Sequence, residues 1–175
     1  MLQVCTGALI WRSGVVMKKV DVVSAAVEPR LRLNLVAQVP IATGEVIFAC
    51  SPSEIVRERT WRTVQIDWNR HVRNEFLDYV DHSCEPNAVF DCARLSMVAL
   101  RPLQPGEPVT FFYPGAEVEV AQDFQCRCGT VRCVGHLKGA FYLTADQMQF
   151  AIDAGYCTSF MAEHLKRLLG LPALV

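Results

Sequence analysis

The chain has 175 residues, 51% of them apolar, with 17 basic and 18 acidic side chains and a formal net charge of −1. That length suits one domain with a core of its own, and the apolar content excludes disorder over much of the chain. Near-neutral charge without a basic stripe leaves no footprint for direct nucleic-acid binding, and no acidic tail marks a polycationic partner.

The first ten residues lack a basic leader region and their apolar run ends at Trp11-Arg12, so no secretory signal is expected. No stretch reaches the roughly 18 apolar residues of a membrane span. Residues 15–23, broken by Lys18, Lys19 and Asp21, read as a first strand, and 31–39 alternate loosely. A turn over Ile41-Ala42-Thr43-Gly44-Glu45 precedes a strand over 46–50. Residues 63–66 and 70–72 flank Asp67-Trp68-Asn69 as a hairpin with Asn at its tip. One helical turn is expected within 74–80, a buried strand over 95–100, a Pro-Gly turn over 101–106 and a strand over 109–113. Short strands separated by frequent turns argue for a mainly β fold.

The C-terminal region changes character. Thr144-Ala145-Asp146-Gln147 is a capping box opening a helix that Gly155 closes. A second helix starts at Thr158 or Ser159, puts Phe160, Met161, Leu165, Leu168 and Leu169 on one face, and stops at Gly170-Leu171-Pro172. The two helices are expected to pack on the β body, with a partner surface as the alternative.

Cysteine usage points to a metal. Cys126, Cys128 and Cys133, in a C-x-C-x4-C run, can offer three thiolates from one tight loop, with Gly129 and Gly135 letting the backbone wrap an ion. A fourth ligand must come from elsewhere; His136 is one candidate, and redox-active thiols without metal are the competing reading. Cys5, Cys50, Cys92 and Cys157 show no ligand spacing and read as small core residues. The pattern fits a reduced, intracellular protein.

Three segments in order carry a resemblance: Asp81-His82-Ser83-Cys84-Glu85-Pro86-Asn87, then Gly106-Glu107-Pro108-Val109-Thr110-Phe111-Phe112-Tyr113, then the cysteine run. Together they resemble the core of a SET domain, the fold of most protein lysine methyltransferases, followed by a post-SET zinc cluster. The resemblance implies a mainly β architecture with C-terminal helices: a β-clip of small sheets with a knot-like core, plus the zinc loop. It divides the chain into a SET core (1–115), a post-SET segment (116–143) and a helical extension (144–175). It implies S-adenosylmethionine as methyl donor and one structural zinc ion held by Cys84, Cys126, Cys128 and Cys133. Tyr113 falls on the family's catalytic tyrosine and Phe111 on the position that tunes how many methyls are added. Phe at that place omits a hydroxyl and implies di- or trimethylation.

The same resemblance assigns Asp81, His82 and Phe124 to the cofactor site, although Asp81 stands where the family has Asn. Arg32-Leu33-Asn34 falls where the family has a G-x-G cofactor loop, so neither glycine is present. Asn87 reads as a core residue that pairs with backbone. The implied substrate is a lysine-containing protein or peptide. The short stretch before Asp81 lacks the insert that usually walls a peptide groove. It also admits a SET-fold enzyme for a small molecule, and the altered loop admits a non-catalytic, zinc-stabilised binding module. The sequence does not set the oligomeric state.

Overall fold

The computed structural model describes residues 19–172 apart from 28, 29 and 52, and the side chains of these other than 25–32. The early part of the expected first strand and Cys5 lie outside the described residues. β1 (Val20–Val27) and β2 (Arg30–Ala37) form a two-stranded antiparallel ladder running from Val20↔Ala37 to Val27↔Arg30. Leu35 and Ala37 enter the core, whereas Leu33, on the same face, is exposed. The ladder therefore reaches beyond the body it is anchored to.

Gly44, at φ 77°, makes the turn into β3 (Val46–Ala49). β4 (Glu54–Val56), β5 (Thr63–Asp67) and β6 (Arg70–Arg73) form a sheet of order β4-β6-β5, with Trp68-Asn69 at the expected hairpin tip. Asn74 then caps a 3-10 turn over Glu75–Tyr79, its Oδ1 accepting from Phe76 N–H at 3.0 Å. β7 (Asp81–His82), β8 (Ala88–Asp91), β9 (Ser96–Ala99) and β10 (Thr110–Phe111) join β3 in a sheet of order β3-β9-β8-β10-β7. β7 and β8 are consecutive in the chain, yet β10 arrives later and inserts between them, parallel to both. Asn87 fixes that insertion: Nδ2 donates to Pro108 O at 2.8 Å and Oδ1 accepts from Thr110 N–H at 2.8 Å.

The strand expected over 109–113 is shorter than its apolar run. Pro114 has no N–H for a ladder and fixes φ, so Tyr113–Gly115 turn as a 3-10 segment. Phe111, the last residue of β10, and Phe112, just after it, enter different cores. Phe111 joins the core of the larger sheets, including Phe48, Phe90 and Leu103. Phe112 joins a second core with Cys84, Cys126, Leu143, Met161 and Leu165.

β11 (Phe124–Gln125) and β12 (His136–Leu137) form a two-stranded clip around the cysteine loop. α1 (Ala145–Asp153) opens on a complete capping box and α2 (Ser159–Leu168) on Thr158, whose side chain accepts from Met161 N–H. Met161 and Leu165 are fully buried, Phe160 and Leu169 pack at their edge, and Leu168 is exposed. The expected apolar face thus loses Leu168, because the last turn of α2 runs past the core. Among the described residues no helix is long and apolar enough to cross a membrane.

Candidate active site and cysteine cluster

Cys126, Cys128 and Cys133 are folded together by two left-handed glycines, Gly129 (φ 73°) and Gly135 (φ 76°), and by Cys126 N–H donating to Gly135 O at 2.6 Å. The link between β7 and β8 delivers Cys84 to the same place. The four sulfurs lie within 4.8 Å of one another, with Cys84 Sγ 3.9 Å from Cys126 Sγ. That separation is far beyond a disulfide bond. It matches the edge of about 3.8 Å expected for a tetrahedron with metal–sulfur bonds of about 2.3 Å. The donor set can hold a metal ion.

Electrostatics around the cluster are uneven. Burial pushes the Cys84 and Cys126 thiols up, the latter to about 11. Burial also acts against ionisation of Cys128, but hydrogen bonds from the Thr130 hydroxyl and backbone outweigh it and bring that thiol down to about 6. Val134 N–H donates to Cys84 Sγ at 3.4 Å, a contact suited to a thiolate. His136 stands outside the cluster, its Nε2 2.8 Å from Asp123 Oδ2 at the surface. Cys50, Cys92 and Cys157 are free thiols raised by burial, to about 12, 11 and 12 respectively.

Beside the cluster lies a cleft of about 600 Å³. Asp81, Phe111, Tyr113 and Phe124, singled out from sequence, all line it. The rings of Phe111 and Tyr113 are 4.7 Å apart between centroids, and Phe124 stands 6.2 Å from Tyr113, nearly perpendicular to it. The Tyr113 hydroxyl donates to Val80 O at 2.9 Å, which fixes the phenol at the wall. Phe124 is held there by the Phe124↔Leu137 pairing of the clip.

His82 sits behind this wall. Its Nδ1 accepts from Tyr113 N–H at 3.3 Å, and its Nε2 lies 3.3 Å from Cys84 Sγ. Burial drives the imidazole down to about 4, so it is neutral and can accept at one nitrogen and donate at the other. It therefore joins the Tyr113 backbone to the sulfur cluster.

The remaining expected cofactor residues lie elsewhere. Arg32, Leu33 and Asn34 are on β2, and the side chain of Arg32 is outside those described. Leu33 is exposed, Asn34 is half-buried, and neither is among the described lining of the cleft. β2 packs beside the 3-10 turn whose Leu77 and Asp78 do line it. Among the described residues β2 pairs only with β1 over 30–34, leaving the other backbone edge of Arg32-Leu33-Asn34 open; from Leu35 on, that edge meets the segment before β10, with Val109 N–H donating to Leu35 O at 2.8 Å.

The structure also reveals a cleft residue that sequence reasoning missed. Glu117 is 6% exposed and forms part of the wall. Its Oε1 accepts from Gln65 N–H at 2.8 Å, while Gln65 Oε1 accepts from Val118 N–H at 3.0 Å. Burial raises this carboxyl to about 8, against the pull of the Gln65 N–H and the Arg59 charge. No local signal marks it, because its surroundings are built by β5, 52 residues earlier in the chain.

A family model for the SET domain matches residues 32–114. The chain is 34% identical over 95 residues to "Methyltransferase flvH" of Aspergillus flavus, covering 53% of this chain and 49% of that protein. It is 32% identical over 65 residues to "Histone-lysine N-methyltransferase ASHR3" of Arabidopsis thaliana, covering 34% and 13%. With "Histone-lysine N-methyltransferase Set2" of Drosophila melanogaster it shares 35% over 68 residues, covering 35% and 3%. Among solved structures, "crystal structure of KRYPTONITE in complex with mCHG DNA and SAH" aligns with a TM-score of 0.42 and 21% identity, covering 59% of this chain and 26% of that one. The mainly β architecture and the cysteine cluster are in keeping with the SET-domain match over residues 32–114. Its curated relatives are named as methyltransferases, and it spans about half the length of the first and a smaller part of the others.

Proposed function

We infer that the protein transfers a methyl group from S-adenosylmethionine to an amine, with a lysine side chain of a protein or peptide as the acceptor. The observation that carries this reading is the meeting of Phe111, Tyr113 and Phe124 around one cleft beside the cysteine cluster, within a SET domain. When bound, S-adenosylmethionine supplies an electrophilic methyl carbon on a sulfonium. The chain's own groups orient and desolvate the amine. The Tyr113 oxygen, anchored on Val80 O, is the polar point against which an amine can be aligned. The faces of Phe111 and Phe124 exclude water, which favours the neutral, nucleophilic form of the amine. Phe111 places no hydroxyl in the passage and leaves room for successive methyl groups. Asp81 and the open edge of β2 offer contacts for the donor's charged and polar parts, with His82 bracing the wall. Cys84, Cys126, Cys128 and Cys133 hold one zinc ion in this reading, a fit supported by the spacing of the sulfurs.

A small-molecule amine is the second acceptor class. It is favoured by the stretch between β3 and β7, which contains only the small β4–β6 sheet and one 3-10 turn. No helix stands there, among the described residues, to wall a long peptide groove.

Calorimetry should show S-adenosylmethionine and S-adenosylhomocysteine binding, and radiolabelled methyl should pass to a lysine-containing protein extract. Tyr113→Phe should retain donor binding and lose about 100-fold or more in transfer rate. Absence of heat at high micromolar donor would sink the methyl-transfer reading, and equal labelling by both proteins would remove Tyr113 from its role. Label confined to small molecules would select the second acceptor class.

A further inference from the structure

Glu117 is only half explained by the packing around it. Its Oε1 serves the brace to β5 by accepting from Gln65 N–H, and a glutamine oxygen would do so equally well. Its Oε2 is buried and has no hydrogen-bond partner among the described residues. An unmatched acceptor on an ionisable group is costly in a folded protein and marks a place for an incoming donor. The cleft that Glu117 helps to wall is acidic. Asp78 from the 3-10 turn, Asp81 from β7 and Asp123 from the segment before β11 also line it. Arg62 is the cation of the described lining, and its Nε lies 3.4 Å from Asp78 Oδ2. Arg59, whose charge acts on Glu117, pairs with Glu119 at 3.1 Å. Both guanidinium groups are thus engaged with other carboxylates.

We propose that Glu117 is the residue that recognises the cationic amine of the substrate, its Oε2 accepting an N–H of the ammonium and then its proton. This rests on the reading of the chain as an amine methyltransferase. Binding of the ammonium displaces the resting Glu117 proton to water; in the step, the ammonium N–H bond then breaks as the Oε2–H bond forms, and the nitrogen keeps the electron pair. That lone pair would take the methyl carbon that bound S-adenosylmethionine supplies, and Glu117 ends the cycle neutral, as it began. Burial places the Glu117 carboxyl at about 8, within range of a desolvated amine. The acidic walls make cationic amines the favoured ligands over neutral or anionic ones.

The test is a calorimetric titration of the chain, with and without S-adenosylhomocysteine, using n-butylammonium chloride and, as the neutral control, n-butanol. Runs at pH 7.5 in two buffers of different ionisation heat count the protons released. The wild-type chain should bind the ammonium and release a large fraction of one proton, as the cation drives Glu117 to ionise. Glu117→Gln should bind it about tenfold or more weakly without proton release, with n-butanol unchanged. Proton release by the wild type is read without any variant, so a poorly folding Gln protein does not remove the test. Equal ammonium affinity and proton count in both proteins, or no ammonium binding by the wild type, would overturn the proposal. Failure of S-adenosylhomocysteine to bind would instead overturn the methyl-transfer reading, because the ammonium arm is also read without it.

Discussion

Water is nearly excluded from the Glu117 carboxyl, and that exclusion sets this residue's part in the response to pH. Its folded value of about 8 lies above the ordinary 4.5. Between those values the folded chain holds at Glu117 a proton that the unfolded chain has lost, so this residue's contribution to stability should fall as pH rises from about 4.5 to about 8. Glu117→Gln keeps the brace to Gln65 N–H and removes the titration. Urea unfolding at pH 5, 6.5 and 8 should therefore show a flatter profile for the variant, by on the order of 3 kcal/mol across the range. Parallel profiles would show that Glu117 is not held neutral by its surroundings. The contrast with Tyr113 and Cys84 explains what could be read in the sequence. Those two sit in ordered local strings whose residue types announce their chemistry, whereas Glu117 acquires its properties from β5 and the cleft wall. His82 stands between the two cases, legible as a motif residue but not as the link from Tyr113 N–H to Cys84 Sγ.

Elements divide along the same line. α1 and α2 were legible because caps and apolar spacing are properties of contiguous residues: Thr144 Oγ1 accepts from Gln147 N–H at 3.3 Å and Gln147 Oε1 from Thr144 N–H at 2.9 Å. Thr144→Ala removes one half of that box and should lower stability by about 1 kcal/mol, seen as a fall of a few degrees in Tm. A Tm unchanged from the wild type would mean that packing alone holds the start of α1. β7, β10, β11 and β12 are two-residue strands defined by partners far along the chain, so neither alternation nor length could reveal them. The strand expected over 109–113 stops short for a related reason: apolar character continues through Phe112 and Tyr113 although Pro114 ends the ladder. Gly115 carries a further constraint on this turn. A Cβ there would lie 2.2 Å from Tyr156 O, in the link between α1 and α2, so the turn holding Tyr113 is pressed against the C-terminal helices.

For the whole molecule, the second core joins pieces that hydropathy alone would have kept apart. Cys84 from the β7–β8 link, Phe112 just after β10, Cys126 from the cysteine loop and Met161 and Leu165 from α2 all meet there. The cysteine cluster is thus built into the core that gathers the C-terminal third. Cys126→Ser should lose one equivalent of metal by elemental analysis, raise hydrogen exchange across the β11–β12 clip, and weaken S-adenosylhomocysteine binding through the displaced Phe124. Full metal retention would show that Cys126 is not a ligand. The late insertion of β10 between β7 and β8 has its own outcome in time. A chain still emerging from the ribosome can form the β1–β2 ladder and the β4–β6 sheet, but the slot between β7 and β8 stays empty until residues 110–111 reach it. Closing such a distant pairing is slow relative to local hairpins. Tyr113 comes two residues behind β10, so the phenol is seated only when that slot is filled, and an unfinished chain has no assembled cleft.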